Sequence, residues 1–124
     1  MPNPIPKHRL AAHTHQQGRC YYCGLPMWLE NPEELAVRYS LKPSALSGLR
    51  CTAEHLTARQ DGGGNTRENI VAACLTCNSR RHRSAKPLGP RKHRKKVRAR
   101  LQVGKWHPQA LKKLVASARP GCRE

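Results

Sequence analysis

Six cysteines and seven histidines in 124 residues are the part of this sequence with chemistry to do. Four of the cysteines form two identical pairs, Cys20-x-x-Cys23 and Cys74-x-x-Cys77. Two residues between thiols let both converge on one ion, and four sulfurs make the closed tetrahedral site of structural zinc. One such pair alone could equally be a redox dithiol, but two in a small basic chain favour zinc. The 50 residues between the pairs exceed the usual zinc-ribbon spacing, so the pairing rests on ligand chemistry. Cys51 reads as a small buried residue on a strand, and Cys122 receives no role.

A second constellation interleaves with the second pair: Glu54-His55, Asn69, Asn78 and His82. Asn78 and His82 stand four residues apart on an expected helix and so share one face. With a carboxylate from Glu54 they offer oxygen, oxygen and nitrogen, a mixed set suited to a catalytic ion with open positions. His55, beside that ligand, is placed to take a proton from water near neutral pH. In a regular strand Glu54 and His55 point to opposite faces, so a bend or bulge is expected there. Taken singly, each residue has a plainer explanation: His82 a surface histidine, Asn69 a turn residue, Glu54 an arginine partner. The joint order carries the weight.

That order resembles a known family. Residues 51–82, CTAEHLTARQDGGGNTRENIVAACLTCNSRRH, are similar to the core of HNH endonucleases, the treble-clef or ββα-metal nucleases. The preceding GRCYYCG resembles the upstream knuckle of the zinc-containing branch, and the likeness covers roughly residues 18–84. The resemblance implies that His55 is the general base, Glu54 a metal ligand and His82 the second helix ligand. It implies that Asn69 fixes the hairpin loop and orients the base. Asn78 stands where the name-giving pattern has histidine, and Glu54 where aspartate is common. The implied catalytic ion is magnesium, or else manganese, nickel or zinc.

These residues need elements to hold them. Leu49–Thr57 reads as a strand, ARQDGGGNTREN as a loop, Ile70–Ala73 as a short apolar strand, and the chain from Leu75 as a helix. Upstream, Asn31, Pro32, Glu33 and Glu34 signal a helix start over residues 32–40. Leu35, Tyr39 and Val37 are its expected buried stripe. A further helical turn covers Pro43–Leu46. A last amphipathic helix is expected over Pro108–Ala118, with Leu111, Leu114 and Val115 on one face. Residues 1–17 read as an extended arm without periodicity.

Charge points to the partner. Lys and Arg number 24 against 7 Asp and Glu, a net +17. Between Asn69 and Arg123 there is no acidic residue, while Arg80 to Arg123 holds nine Arg and seven Lys. Such a run repels itself until something anionic neutralises it, and a phosphate backbone also releases counterions when it does so. Arg80, Arg81 and Arg83, and Arg91, Lys92, Arg94, Lys95, Lys96, Arg98 and Arg100, are the candidate nucleic-acid contacts. DNA is the expected partner, structured RNA the variant. No uncharged stretch approaches the ~20 apolar residues of a membrane span, and the N-terminus lacks an apolar signal region. A cytoplasmic setting is expected, in keeping with cysteines used for metal.

The expectation is therefore an α+β fold. A small ββα-metal, treble-clef-like domain over 18–86 carries a structural zinc and a helical insertion. Its basic extension, 87–124, ends in a short helix and contributes little apolar surface. The expected activity is divalent-metal-dependent hydrolysis of DNA phosphodiester bonds. The competing class is a silent zinc-stapled nucleic-acid-binding module or a structural nucleoprotein component, which explains the charge and the cysteines but not the order of Glu54, His55, Asn69 and His82.

Overall fold

A computed structural model describes residues 3–118; Cys122 lies outside them. The centre is an antiparallel hairpin of β1 (Cys51–His55) and β2 (Ile70–Cys74), followed directly by helix α3 (Leu75–His82). The register pairs Cys51 with Cys74 and His55 with Ile70 without interruption. The bend expected at Glu54–His55 is therefore absent. Every residue of β2 is buried, as its unbroken apolar run IVAAC requires.

The knuckle Arg19–Pro26 folds back on itself by a single bridge. Within it Cys20 N–H donates to Leu25 O at 2.9 Å and Gly24 N–H to Cys20 O at 3.0 Å. Gly24 sits at φ 74°, the left-handed conformation that this reversal needs. Tyr21 N–H then donates to Ala72 O at 2.9 Å, which docks the knuckle on β2. The insertion holds the expected helix as α2 (Glu33–Tyr39), while the turn expected at Pro43–Leu46 runs on as a 3-10 helix to Leu49, so the strand starts later than Leu49. Glu34 caps the entry to α2 by accepting from the backbone of Leu29, Glu30 and Asn31. Val37 is 79 % exposed, so it leaves the expected stripe; Leu35 and Ala36 are buried and Tyr39 packs against them from the edge.

Two expectations about the ends are corrected. The leader is not extended: Ile5–His15 form helix α1. Its hold on the hairpin is polar, which is why no apolar stripe announces it. Gln16, just past the helix, donates to Ala72 O at 2.8 Å and accepts from Ala72 N–H at 2.9 Å, imitating a neighbouring strand. Arg9 donates to Cys51 O at 3.1 Å. The basic run, expected to contribute little apolar surface, reaches the core. Pro90–Gln102 form helix α4, and His93, Val97 and Leu101 are buried, each four residues from the next. Beyond it the last helical segment is a 3-10 turn at Gln109–Leu111 running into α5 (Lys112–Ala116). Leu111 and Leu114 are buried there, as the pattern indicated. One apolar core contains Ala12, Leu25, Ala72, Val97 and Leu114 together, so α1 and the extension pack with residues 18–86 as one unit.

Candidate metal centre and active cleft

Cys20, Cys23, Cys74 and Cys77 are buried with their sulfurs all within 4.8 Å of one another. The Cys23–Cys74 separation is 3.9 Å. A tetrahedral ion with bonds of about 2.3 Å spaces its sulfurs about 3.8 Å apart, so the quartet fits zinc. Local backbone prepares it. Tyr22, Cys23 and Cys74 N–H groups donate to the Cys20 sulfur, and Cys77 N–H donates to the Cys74 sulfur at the start of α3. Burial works against a thiolate at Cys20, but hydrogen bonds from Cys23, Cys74 and Cys77 outweigh it and hold this thiol well below its ordinary range. Burial pushes the Cys23 and Cys77 thiols up. A dication at the quartet would offset that burial. Cys51 is outside the quartet, its thiol pushed up to about 12 by burial, which fits a packing residue.

Two contacts to this centre were not legible in advance. Trp106, from the extension, donates its indole N–H to the Cys77 sulfur at 3.3 Å. His93 of α4 meets Cys77 O at 3.0 Å. Tyr22, His93 and Trp106 stack edge to face, with ring centroids 4.7 Å and 5.9 Å apart. The extension is therefore built around the cysteine quartet.

The second centre is Glu54, 1 % exposed on its side chain. One carboxylate oxygen accepts from Tyr22 OH and from Arg81, both at 2.9 Å. The other lies 2.8 Å from His82 Nε2. Two ligands at right angles on an ion with bonds of about 2.1 Å stand about 3 Å apart, so this oxygen and this nitrogen fit adjacent positions on one divalent ion. Asn78 is positioned by donating to Thr52 Oγ1 at 3.0 Å and Ala53 O at 3.3 Å. Its amide NH2 group is thereby occupied, and its carbonyl oxygen is the end with ligand chemistry. Glu54, His55, Asn78 and His82 line one open cleft of about 610 Å³. Among the described residues the cysteines are the only three or more His, Cys, Asp or Glu ligand atoms so close together, so His55 is not a third ligand beside Glu54 and His82. Because His55 is the last strand residue, it reaches the cleft without a bulge.

The loop after β1 holds His55. His55 Nε2 is 2.8 Å from Asn65 Oδ1, so Nε2 carries a proton and Nδ1 is left to accept one. Asn69 does not touch His55. It accepts from Thr57 N–H at 2.8 Å and donates to Thr57 O and Gly64 O, which closes the loop that presents Asn65. Asn69 thus reaches His55 only by way of the loop that presents Asn65, a residue the sequence pattern did not single out. Gly63 is required in this loop because a Cβ there would overlap the Thr57 carbonyl.

The arginines divide. Arg81 is corrected: it is 6 % exposed and donates to Glu54, His55 O, Leu56 O and Leu88 O, so it grips no outside phosphate. Arg94 lies 4.0 Å over the Tyr21 ring and donates to Tyr21 O, and Arg98 is half-buried with its pKa lowered by burial and by Arg94. Both are turned toward the knuckle. Arg80, Arg83, Arg91, Lys92, Lys95, Lys96 and Arg100 are exposed. Among the described residues no helix is long and apolar enough to cross a membrane.

Compared with known proteins, residues 41–84 match the family model described as HNH endonuclease. That segment contains β1, the loop, β2 and α3, hence Glu54, His55, Asn69, Asn78 and His82, and two of the four cysteines. No curated protein and no solved structure matches the chain.

Proposed function

We propose that this protein hydrolyses phosphodiester bonds of DNA in the cleft between β1 and α3, in keeping with the match of residues 41–84 to the HNH endonuclease family model. The observation that carries this is the 2.8 Å approach of Glu54 and His82 beside Asn78 and His55 in one cleft. Glu54, Asn78 and His82 would hold a divalent ion, magnesium or a transition metal, which when bound supplies charge to offset that developing on phosphate and leaving oxygen. The chain's own residues do the rest. Tyr22 and Arg81 fix the Glu54 carboxylate so that its second oxygen faces the cleft. Asn65 holds His55 with Nδ1 available, and His55 takes the proton of the attacking water there. The cysteine quartet, holding zinc, anchors α3 at its first turn and so sets where Asn78 and His82 stand.

The test is nicking of supercoiled plasmid with added magnesium or manganese. His55→Ala is expected to lose roughly 10²–10⁴-fold in rate with fold, zinc content and DNA binding intact. His82→Ala is expected to be inactive for a different reason, loss of metal, and to recover in part at high divalent concentration. Full activity in His55→Ala would remove the assignment. Absence of cleavage by the parent protein, with binding retained, would favour a zinc-stapled binding module.

A further inference from the structure

We infer that a second cleft, between the end of α3 and one flank of α4, seats the phosphate backbone of the same nucleic acid beside the bond that is cut. Arg80, Arg83, Lys96, Arg100 and Lys105 surround this cleft of about 670 Å³ with Ser84 and Trp106. Among the described residues none of these five cations stands within ion-pair distance of a carboxylate. The sequence offers none nearby, since no Asp or Glu occurs from Asn69 to Arg123. Gathering five like charges costs self-repulsion, which a polyanion relieves.

The cleft is built in advance. Arg80 donates to Trp106 O at 2.6 Å and lies 4.7 Å over its ring. Trp106 is itself tied to the Cys77 sulfur. Lys105 N–H donates to Arg100 O at 3.0 Å, which turns the chain back at the end of α4 and returns Lys105 to the cleft. Trp106 is only 5 % exposed, so its ring is covered and offers no platform for bases. Recognition here is by charge, indifferent to sequence. The place is also right. Ser84 lines both this cleft and the one holding Glu54 and His55. A strand presents a charge about every 3.4 Å along a duplex, so a backbone leaving the cut site meets the second cleft within a few nucleotides.

The identity of the strand rests on the proposed nuclease function; the seat itself does not. The test compares two pairs of exposed residues, Lys96→Ala/Arg100→Ala in the cleft and Arg38→Ala/Lys42→Ala at the helical insertion, outside the candidate nucleic-acid contacts, in a His55→Ala background. Binding of a short labelled duplex DNA is measured across a salt series. The cleft pair is expected to flatten the log–log salt slope by about 1.8, roughly 0.9 for each phosphate no longer neutralised, and the control pair by less than half as much. Lys105→Gln, outside α4, is expected to flatten it by about 0.9. Equal slopes for the two pairs, or a Lys105→Gln slope like the parent's, would overturn the seat. If the slopes differ as stated but the protein with His55 intact nicks no plasmid, the seat stands and the cleavage assignment falls. If plasmid is nicked and the slopes are equal, the reverse holds.

Discussion

Replacing Arg81 by Met keeps the stem and removes the guanidinium. The Glu54 carboxylate, 1 % exposed, then loses its only permanent cation and keeps Tyr22 OH and His82. Three carbonyl oxygens, of His55, Leu56 and Leu88, lose a donor as well. Those bonds are only part-buried, so they add less than the carboxylate does. The uncompensated carboxylate dominates, and breaking a buried pair by removing one partner costs about 3–5 kcal/mol. Against a typical domain stability of about 5–15 kcal/mol that is about a fifth of the total or more. Urea unfolding of zinc-loaded protein at fixed zinc and protein concentration reads this as a lower midpoint. Arg83→Met, two positions on and exposed, is expected to change stability by no more than about 0.5 kcal/mol. The double variant Glu54→Gln/Arg81→Met is expected to be no less stable than Arg81→Met, because the stranded charge has gone. A loss under about 1 kcal/mol for Arg81→Met, the range of exposed ion pairs, would refute the buried-pair argument.

Elemental analysis is expected to find about one tightly held zinc per chain, and Cys20→Ser to unfold much of the domain, since metal binding supplies folding energy; metal-free protein with an unchanged folded spectrum would contradict this. Acid stability has a separate source in His107, whose ring nitrogens are both buried without a partner and whose pKa is lowered by burial, with Arg80 adding to the shift, from 6.5 to about 4. The folded state keeps the ring neutral, so its contribution is whole above pH 6.5 and is lost as pH falls toward 4, the unfolded chain taking the proton first. The loss amounts to about 3 kcal/mol over that window. His107→Leu is expected to lose correspondingly less than the parent between those pH values, a difference in which zinc release, common to both proteins, cancels.

The hairpin and α3 were legible because their signals are local: an apolar run of five, a glycine-rich loop, a cysteine pair at the next helix start. That Asn78 and His82 share one cleft with Glu54 was legible for the same reason, as they stand one helical turn apart. What held α1 was not local. Gln16 reaches Ala72 across 56 positions, and a glutamine near a helix end gives no sign that its partner is a strand edge. In α4 the sign was present but masked. His93, Val97 and Leu101 form a stripe at four-residue spacing inside RKHRKKVRARL, where the surrounding charge makes the whole run look solvated. The division of the arginines was not legible either. Arg81 and Arg83 differ by two positions, yet on a helix that turns them about 200° apart, one into the core against Glu54 and one into solvent.

The position of Tyr22 explains how so small a core can keep a charged carboxylate inside it. The residue falls between two zinc-site cysteines, so the knuckle's tight reversal fixes its direction as firmly as theirs. Its ring stacks on His93, and its hydroxyl ends on Glu54. Burial, together with the Glu54 charge, raises the Tyr22 pKa, so the phenol stays protonated and remains a donor. Arg81 completes the same carboxylate oxygen, and the other is left for His82. A buried charge is tolerable when every lone pair facing the interior has a donor. The cysteine knuckle therefore does more than contribute two thiols to the quartet. By placing the Tyr22 hydroxyl, it helps stabilise Glu54 as a buried anion with one oxygen directed to the cleft.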